Sequence, residues 1–372
     1  MLNHLTTWLC LSSACLAAGL SQPEANAYIK EATEKQKQTL TKERQADFDN
    51  KKIELDGKTL PYAFLKYGEE PEGGHSLYIS MHGGGSAPPA VNDRQWQNQI
   101  RLYKPKEGYY LAPRAATNTW NLWHEAHIDP MFDRIIENFV ALKGVNPNKV
   151  YLTGYSAGGD GTYQLAPRMA DRWAAAAMMA GHPNEAQPDN LYNLPFFIQC
   201  GGKDAAYDRN KIAAEWGKKL DALAAKHPGA YPHKTIIYPE LGHWMDGKDA
   251  VAIPWMASKT RSPWPQHIVW FQDDVTVQRF YWLENPNPQK GQKVTANVSG
   301  QTITLDTKNI PSLTLRLSDQ LVDLDKELIV KSADDKELFR GKVQRDKKSI
   351  DKSLKQRFDP TTVATAELTV TF

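Results

Sequence analysis

Cysteine is scarce in this chain. Three stand among 372 residues, at positions 10, 15 and 200. That is too few for a disulfide framework, so stability has to come from packing. Cys200 ends an apolar stretch and reads as a small buried hydrophobe. Charge of one sign is also lacking. Lys and Arg number 45 against 43 Asp and Glu, a formal net charge of +2. No basic run with interleaved aromatics occurs, which argues against a nucleic-acid partner. The apolar run over residues 5–20 is too short for a membrane-spanning helix. Metal-ligand spacing is missing too. His124-Glu125-Ala126-His127 departs from the H-E-x-x-H pattern that places two histidines on one helical face, so no metal site is expected.

The N-terminus is expected to be a targeting segment. A short apolar region is followed by Ala25-Asn26-Ala27, an A-x-A cleavage pattern, which predicts a signal peptide over residues 1–27 and export to the periplasm or medium. No Lys or Arg precedes Lys30. The alternative is a lipid anchor at Cys15, although Ser12-Ser13-Ala14 lacks the large aliphatic residue of a lipobox; membrane contact is expected only in that case. Residues 28–50 are charged with little apolar periodicity and read as a polar linker or helix.

What the chain does contain is organised around residues 149–168. Val150, Tyr151, Leu152 and Thr153 suit a buried strand, Gly154-Tyr155-Ser156-Ala157-Gly158 follows, and a helix can run to about Arg168. This G-x-S-x-G pattern holds a serine on a sharp strand-to-helix turn, where glycines leave room that side chains would fill. The helix N-terminus then directs free N–H groups at a developing oxyanion.

Three further elements fall in a fixed order around it. His82-Gly83-Gly84-Gly85 follows an apolar strand over residues 76–81, where glycines let backbone N–H groups approach a substrate oxygen. Asp204 follows the strand 196–200, and His243 lies in the loop after the strand 234–238. Read singly, Asp204 is a turn or cap residue and His243 a loop histidine; the order Ser, Asp, His makes them a triad. Residues 113–130 form a long irregular stretch with Trp120, Trp123 and His124, a candidate pocket wall, although the tryptophans could equally pack beneath the loop. His182, at another strand end, and Trp244 complete the candidate substrate contacts.

Elsewhere, residues 52–67 read as a hairpin about Asp56-Gly57, and residues 128–140 as a helix stopped by Gly144. Strands at 268–271 and 279–283 are expected to finish this unit. Glu284-Asn285-Pro286-Asn287-Pro288 reads as a linker, and short alternating segments beyond it as a small all-β domain with no catalytic cluster. Alternating strands and helices imply an α/β fold with a mainly parallel sheet. The expected domains are a catalytic unit over residues 51–285 and a β domain over 290–372.

With the four elements in order, residues 51–285 resemble an α/β-hydrolase. The branch they are most similar to is that of secreted or envelope esterases of the polyhydroxybutyrate-depolymerase, feruloyl-esterase and dienelactone-hydrolase type. The resemblance rests on His82 to Gly85 and Gly154 to Gly158 and does not reach the C-terminal region. It implies Ser156 as nucleophile, His243 as general base and acid, and Asp204 as the orienting carboxylate. Ala157 and Gly84, with Gly85 as a further candidate, would supply oxyanion N–H groups. The chemistry implied is cleavage of a small-molecule or polymer-borne ester through an acyl-serine, with no metal or organic cofactor. Alternatives are a serine peptidase with the same triad, and a polymer- or glycan-binding protein acting through the β domain.

Overall fold

The computed structural model describes residues 19–372. Cys10, Cys15 and nearly all of the apolar leader lie outside the described residues.

Helix α1 (Gln22–Asp49) opens the described chain. Ser21 caps it: the Glu24 N–H donates to Ser21 Oγ (3.4 Å) and Glu24 Oε2 accepts from the Ser21 N–H (2.8 Å). Its buried residues are Ala25, Ala32, Leu40, Asp47 and Phe48, so most of its surface faces water and its polar composition is no obstacle to helix. Asp47 fastens its far end, accepting from Arg134 Nε (2.8 Å) and Nη2 (2.9 Å) and from Asn138 Nδ2 (2.7 Å). Ala25-Asn26-Ala27 sits in the first turns with Ala25 fully buried. The signal-peptide boundary expected at residue 27 therefore falls inside a packed helix, and a cut there would remove its cap.

The main sheet follows. Its elements are β1 (Lys52–Leu55), β2 (Lys58–Tyr67), β3 (His75–Met81), α2 (Pro89–Gln99), β4 (Gly108–Pro113), α3 (Ile128–Lys143), β5 (Val145–Tyr155), α4 (Ala157–Arg168), β6 (Ala175–Met179), β7 (Phe196–Gly201), α5 (Arg209–Lys226) and β8 (His233–Tyr238). The eight strands lie in the order β1-β2-β4-β3-β5-β6-β7-β8. β1, β2 and β4 pair antiparallel, and from β4 onward every pairing is parallel. β3, β4, β6 and β7 are buried along their whole length, which is why they read as apolar runs and not as alternating strands. The hairpin turn has Asp56 at φ 49° and Gly57 at φ 74°, both left-handed as a tight primed turn requires. Helix α2 had no signal in the sequence, because its buried residues are the polar Asn92 and Gln99.

The C-terminal boundary differs from the expectation. After α6 (Ala252–Ala257) come β9 (His267–Phe271), β10 (Arg279–Phe280), β11 (Leu283–Glu284), β12 (Lys293–Ser299), β13 (Thr302–Lys308), β14 (Ser312–Leu317), β15 (Leu328–Ser332), β16 (Glu337–Gly341), α7 (Lys347–Gln356) and β17 (Ala366–Thr371). β9 does not finish the eight-stranded sheet. It is the edge of a five-stranded sheet, β16-β15-β13-β12-β9, while β10 and β11 join β14 and β17 in a four-stranded one. The region is also not purely β, since it carries α7. Nor is the stretch after β11 a free linker: Asn285 is buried, its amide donating to Gln292 Oε1 (2.8 Å) and its N–H to the Gln278 carbonyl (2.8 Å). Trp173 of the N-terminal unit and Trp264, Trp270, Trp282 and Ile350 of the C-terminal region belong to one continuous apolar core.

Candidate active site

Ser156 stands between β5 and α4 with φ 59° and ψ −121°, a conformation costly for a residue with a side chain. Two backbone bonds hold it: its N–H donates to the Met179 carbonyl (2.9 Å) and its carbonyl accepts from the Asp160 N–H (2.9 Å). The flanking glycines are required sterically. A Cβ on Gly154 would lie 2.0 Å from the Gly158 carbonyl oxygen, and one on Gly158 would lie 2.2 Å from that of Met81.

The three candidate triad residues meet although they come from three separate strand ends. Ser156 Oγ is 3.0 Å from His243 Nε2, and His243 Nδ1 is 2.7 Å from Asp204 Oδ2. Asp204 is buried, so its carboxylate acts on the imidazole with little screening by water. Arg209 Nη1 stands 4.0 Å from its other oxygen. His243 lies on a loop that Tyr155, the residue before the nucleophile, fastens down: the phenol donates to the His243 carbonyl (2.7 Å) and accepts the Met245 N–H (3.0 Å). Cys200 lies beneath, a buried thiol pushed up to about 12 by its surroundings and therefore inert.

The glycine turn after β3 is built around His82. Its Nε2 accepts the Ala115 N–H (3.2 Å), which places the ring proton on Nδ1, where it donates to the Gly83 carbonyl (2.6 Å). Burial pulls this imidazole down to about 4, so it stays neutral and structural. Gly84 (φ 116°) and Gly85 (φ 82°) adopt backbone open to glycine. The Gly85 N–H donates to Asn92 Oδ1 (2.9 Å), so it is committed to shaping the turn and is not an oxyanion donor. Among the described residues, the N–H groups of Gly84 and Ala157 have no such partner.

Two clefts open on either side of the serine. One, of about 440 Å³, is lined by Gln95, Asn98, Gln99, Leu102, Tyr155, Ser156, His243 and Trp244. The other, of about 330 Å³, is lined by Trp120, Ala157, Asp160, His182, Asn184, Tyr207 and Arg209. Gly84 borders both. Trp120, Tyr207 and Trp244 are the exposed large aromatics of the described residues, and all three stand at these clefts.

Trp120, His182 and Trp244 therefore lie where a substrate would meet them. Trp123 and His124 do not. Trp123 is fully buried, its indole N–H donating to the His82 carbonyl (2.9 Å), so it supports the glycine turn from below. His124 is buried against Trp120, and desolvation lowers it to about 4. No group of three or more His, Cys, Asp or Glu residues able to hold a metal occurs among the described residues. Asn92, Gln95, Asn98, Tyr155, Asp160, Tyr207 and Arg209 escaped the sequence reading. Only Tyr155 and Asp160 carried a local signal, as neighbours of the serine on the elbow. Asp160 accepts the His182 N–H (2.6 Å), and burial raises its carboxyl to about 6.

The strand order, the elbow and the placement of the three side chains at strand ends define an α/β-hydrolase fold. Residues 101–274, which hold Ser156, Asp204 and His243, match the model of the dienelactone hydrolase family. Solved structures similar to the chain include a thermostable esterase (18% identity, covering 56% of this chain and 62% of that one, TM-score 0.42). Others are a ferulic acid esterase (15%, 55% and 94%, 0.38) and a mutant of the feruloyl esterase module from Clostridium thermocellum complexed with sinapinate (16%, 54% and 84%, 0.39). No curated protein matches the chain in sequence.

Proposed function

We propose that this protein is a serine hydrolase that cleaves carboxylic esters through an acyl-serine intermediate. The observation that carries the reading is the continuous chain from Ser156 Oγ to His243 Nε2 (3.0 Å) and from His243 Nδ1 to Asp204 Oδ2 (2.7 Å), set beside free N–H groups on Gly84 and Ala157.

A serine hydroxyl is a weak nucleophile. His243 Nε2 takes its proton as Oγ attacks the ester carbonyl carbon. Asp204 keeps the ring proton on Nδ1 and stabilises the imidazolium. The carbonyl oxygen becomes an oxyanion and is met by the Ala157 and Gly84 N–H groups; one such donor is worth about 3 kcal/mol in the barrier. His243 then passes its proton to the leaving alkoxide, and the alcohol departs. Water, activated by the same imidazole, releases the acid and restores Ser156.

The test is covalent labelling by a fluorophosphonate followed by peptide mapping. Modification at Ser156, absent in Ser156→Ala and in His243→Ala, is the expected result. A folded wild-type protein that takes no label would overturn the reading. Peptidase action would use the same groups, and a matched panel of esters and peptides separates the two by rate. Export remains part of the proposal, supported by the apolar leader; N-terminal sequencing of the secreted or periplasmic form tests it, and a protein found only in the cytosol with its leader intact counts against it.

A further inference from the structure

We propose that the leader is cut after Ala17 or after Gly19, and not after Ala27. Residues 20–27 then stay in the mature chain as the head of a strap, α1, that ties the C-terminal region to the hydrolase unit. This rests on the export reading above and is independent of the acyl-serine chemistry.

α1 has one end on each part of the molecule. At its head, the Leu20 N–H donates to the Arg345 carbonyl (2.9 Å), and Arg345 Nη1 donates back to the Leu20 carbonyl (3.5 Å). The Tyr28 hydroxyl donates to Asp351 Oδ1 (3.1 Å), and Lys347 Nζ lies 4.5 Å from the centre of the Tyr28 ring. Asp351 and Lys347 both belong to α7, in the C-terminal region. At its tail, Asp47 takes Arg134 and Asn138 of α3, and the Tyr62 hydroxyl donates to the Asp47 carbonyl (2.7 Å). Phe48 packs against Phe139 of α3, with ring centres 4.9 Å apart.

The small residue at position 25 has a packing reason. Ala25, Ile29 and Ala32 fall at i, i+4 and i+7, the stripe that a helix turns toward its neighbours, and all three pack into the core. Ala25-Asn26-Ala27 therefore matches a cleavage pattern through the spacing of a docked helix. Residues discarded with a leader never meet the folded protein. Residues 20–27 complete it, with a backbone pairing, a reciprocal cap and a buried alanine. The cut has to fall before them. Two small-x-small patterns stand there: Cys15-Leu16-Ala17 and Ala17-Ala18-Gly19. Both use Ala17, at the cut in the first and two residues before it in the second. A leader of 17 or 19 residues still lies within the roughly 15–30 of such segments.

The full chain, expressed in a bacterium with its own leader, tests the assignment by intact mass and N-terminal sequencing. The exported protein should begin at Ala18 or Leu20. A start at Tyr28, or a fatty-acylated start at Cys15 or Cys10, would overturn the cut while leaving export standing. Ala17→Tyr should leave at least tenfold more unprocessed precursor. Ala27→Tyr, at an exposed position of α1, should be processed as wild type. The reverse pattern would overturn the assignment. A chain held in the cytosol with its leader intact would strike the export reading and the cut together, and thermal unfolding would still decide the strap. A chain made to begin at Tyr28 should melt at least about 2 °C below one that begins at Leu20, as a lost cap implies for a chain of this size, or fail to fold. Equal melting would overturn the strap.

Discussion

Two buried aspartates show how differently this molecule treats its polar groups. Asp359, at the seam between the hydrolase unit and the C-terminal region, is saturated. It accepts from Arg261 Nη2 (2.6 Å), from the Thr361 N–H (3.0 Å) and from Thr361 Oγ1 (2.7 Å), with Arg172 Nη1 at 3.5 Å. These partners hold its carboxyl well below the usual carboxylate range. The seam continues with Arg172 on Asp133 (2.6 Å) and with Arg357 on Asp171 and Asp133. Asp204 at the cleft is as buried, yet one oxygen serves His243 with only the weak Cys200 thiol besides (Sγ at 3.9 Å), while Arg209 stands off at 4.0 Å from the other. The seam spends its charges on joining two parts of the chain. The cleft leaves hydrogen-bonding capacity unused, on Gly84, Ala157, Gln95 and Asn98, where a substrate could take it up. A saturated polar group stabilises, and an unsaturated one at a surface is available for binding.

The largest expected effect separates the two regions outright. Ser156→Ala should lose about 10⁵- to 10⁶-fold in kcat, since removing a triad serine costs on that order, while its thermal unfolding stays at the wild-type temperature. Residual turnover within tenfold of wild type would place the chemistry elsewhere.

Asp359→Ala is the converse. It strands Arg261 and Arg172 in a dry seam, and breaking a buried pair costs about 3–5 kcal/mol. Urea unfolding should show that loss, with kcat of the folded fraction retained. A loss below 1 kcal/mol would mean that the seam is not the fastening described.

Acid should act on the ground beneath the cleft. His82 and His124 are each lowered by burial from 6.5 to about 4, so between those values the unfolded chain binds protons that the folded one refuses. Their contribution is complete above pH 6.5 and is lost as pH falls toward 4, about 3 kcal/mol for each. Unfolding free energy measured from pH 7 to pH 4 should fall accordingly, and His124→Gln should flatten the slope. An unchanged slope in that variant would refute the assignment.

Trp120→Ala should be the mildest. The side chain is 57% exposed at the cleft on the Ala157 side, so stability should shift by no more than about 0.5 kcal/mol while KM rises. A large loss of stability would make Trp120 a packing residue instead of a rim residue.

Much of the site was legible because the chemistry forces local patterns. Gly154 and Gly158 have no room for a side chain, and Ser156 must sit between them, so the elbow leaves its mark on consecutive residues. The same holds for His82 to Gly85 and for buried parallel strands such as β3 and β7, which have no solvent face to break their apolar run. Trp123 and His124 were misplaced because composition marks a loop as aromatic without saying which ring faces inward. Helix α2 left no pattern, since its buried residues are polar and are satisfied by tertiary partners.

By itself, then, the sequence determined the α/β class, the elbow and the order of Ser156, Asp204 and His243, because each is encoded by backbone sterics over a few neighbouring residues. Only the tertiary structure decided that β9 leaves the catalytic unit for the C-terminal sheet, that α1 is fastened by Asp47, and that Gly85 is spent on Asn92. It also decided that amides of α2 and Trp244 line one cleft beside Ser156. These are pairings between residues far apart in the chain. Their energies depend on who the partner is, and no local pattern records it.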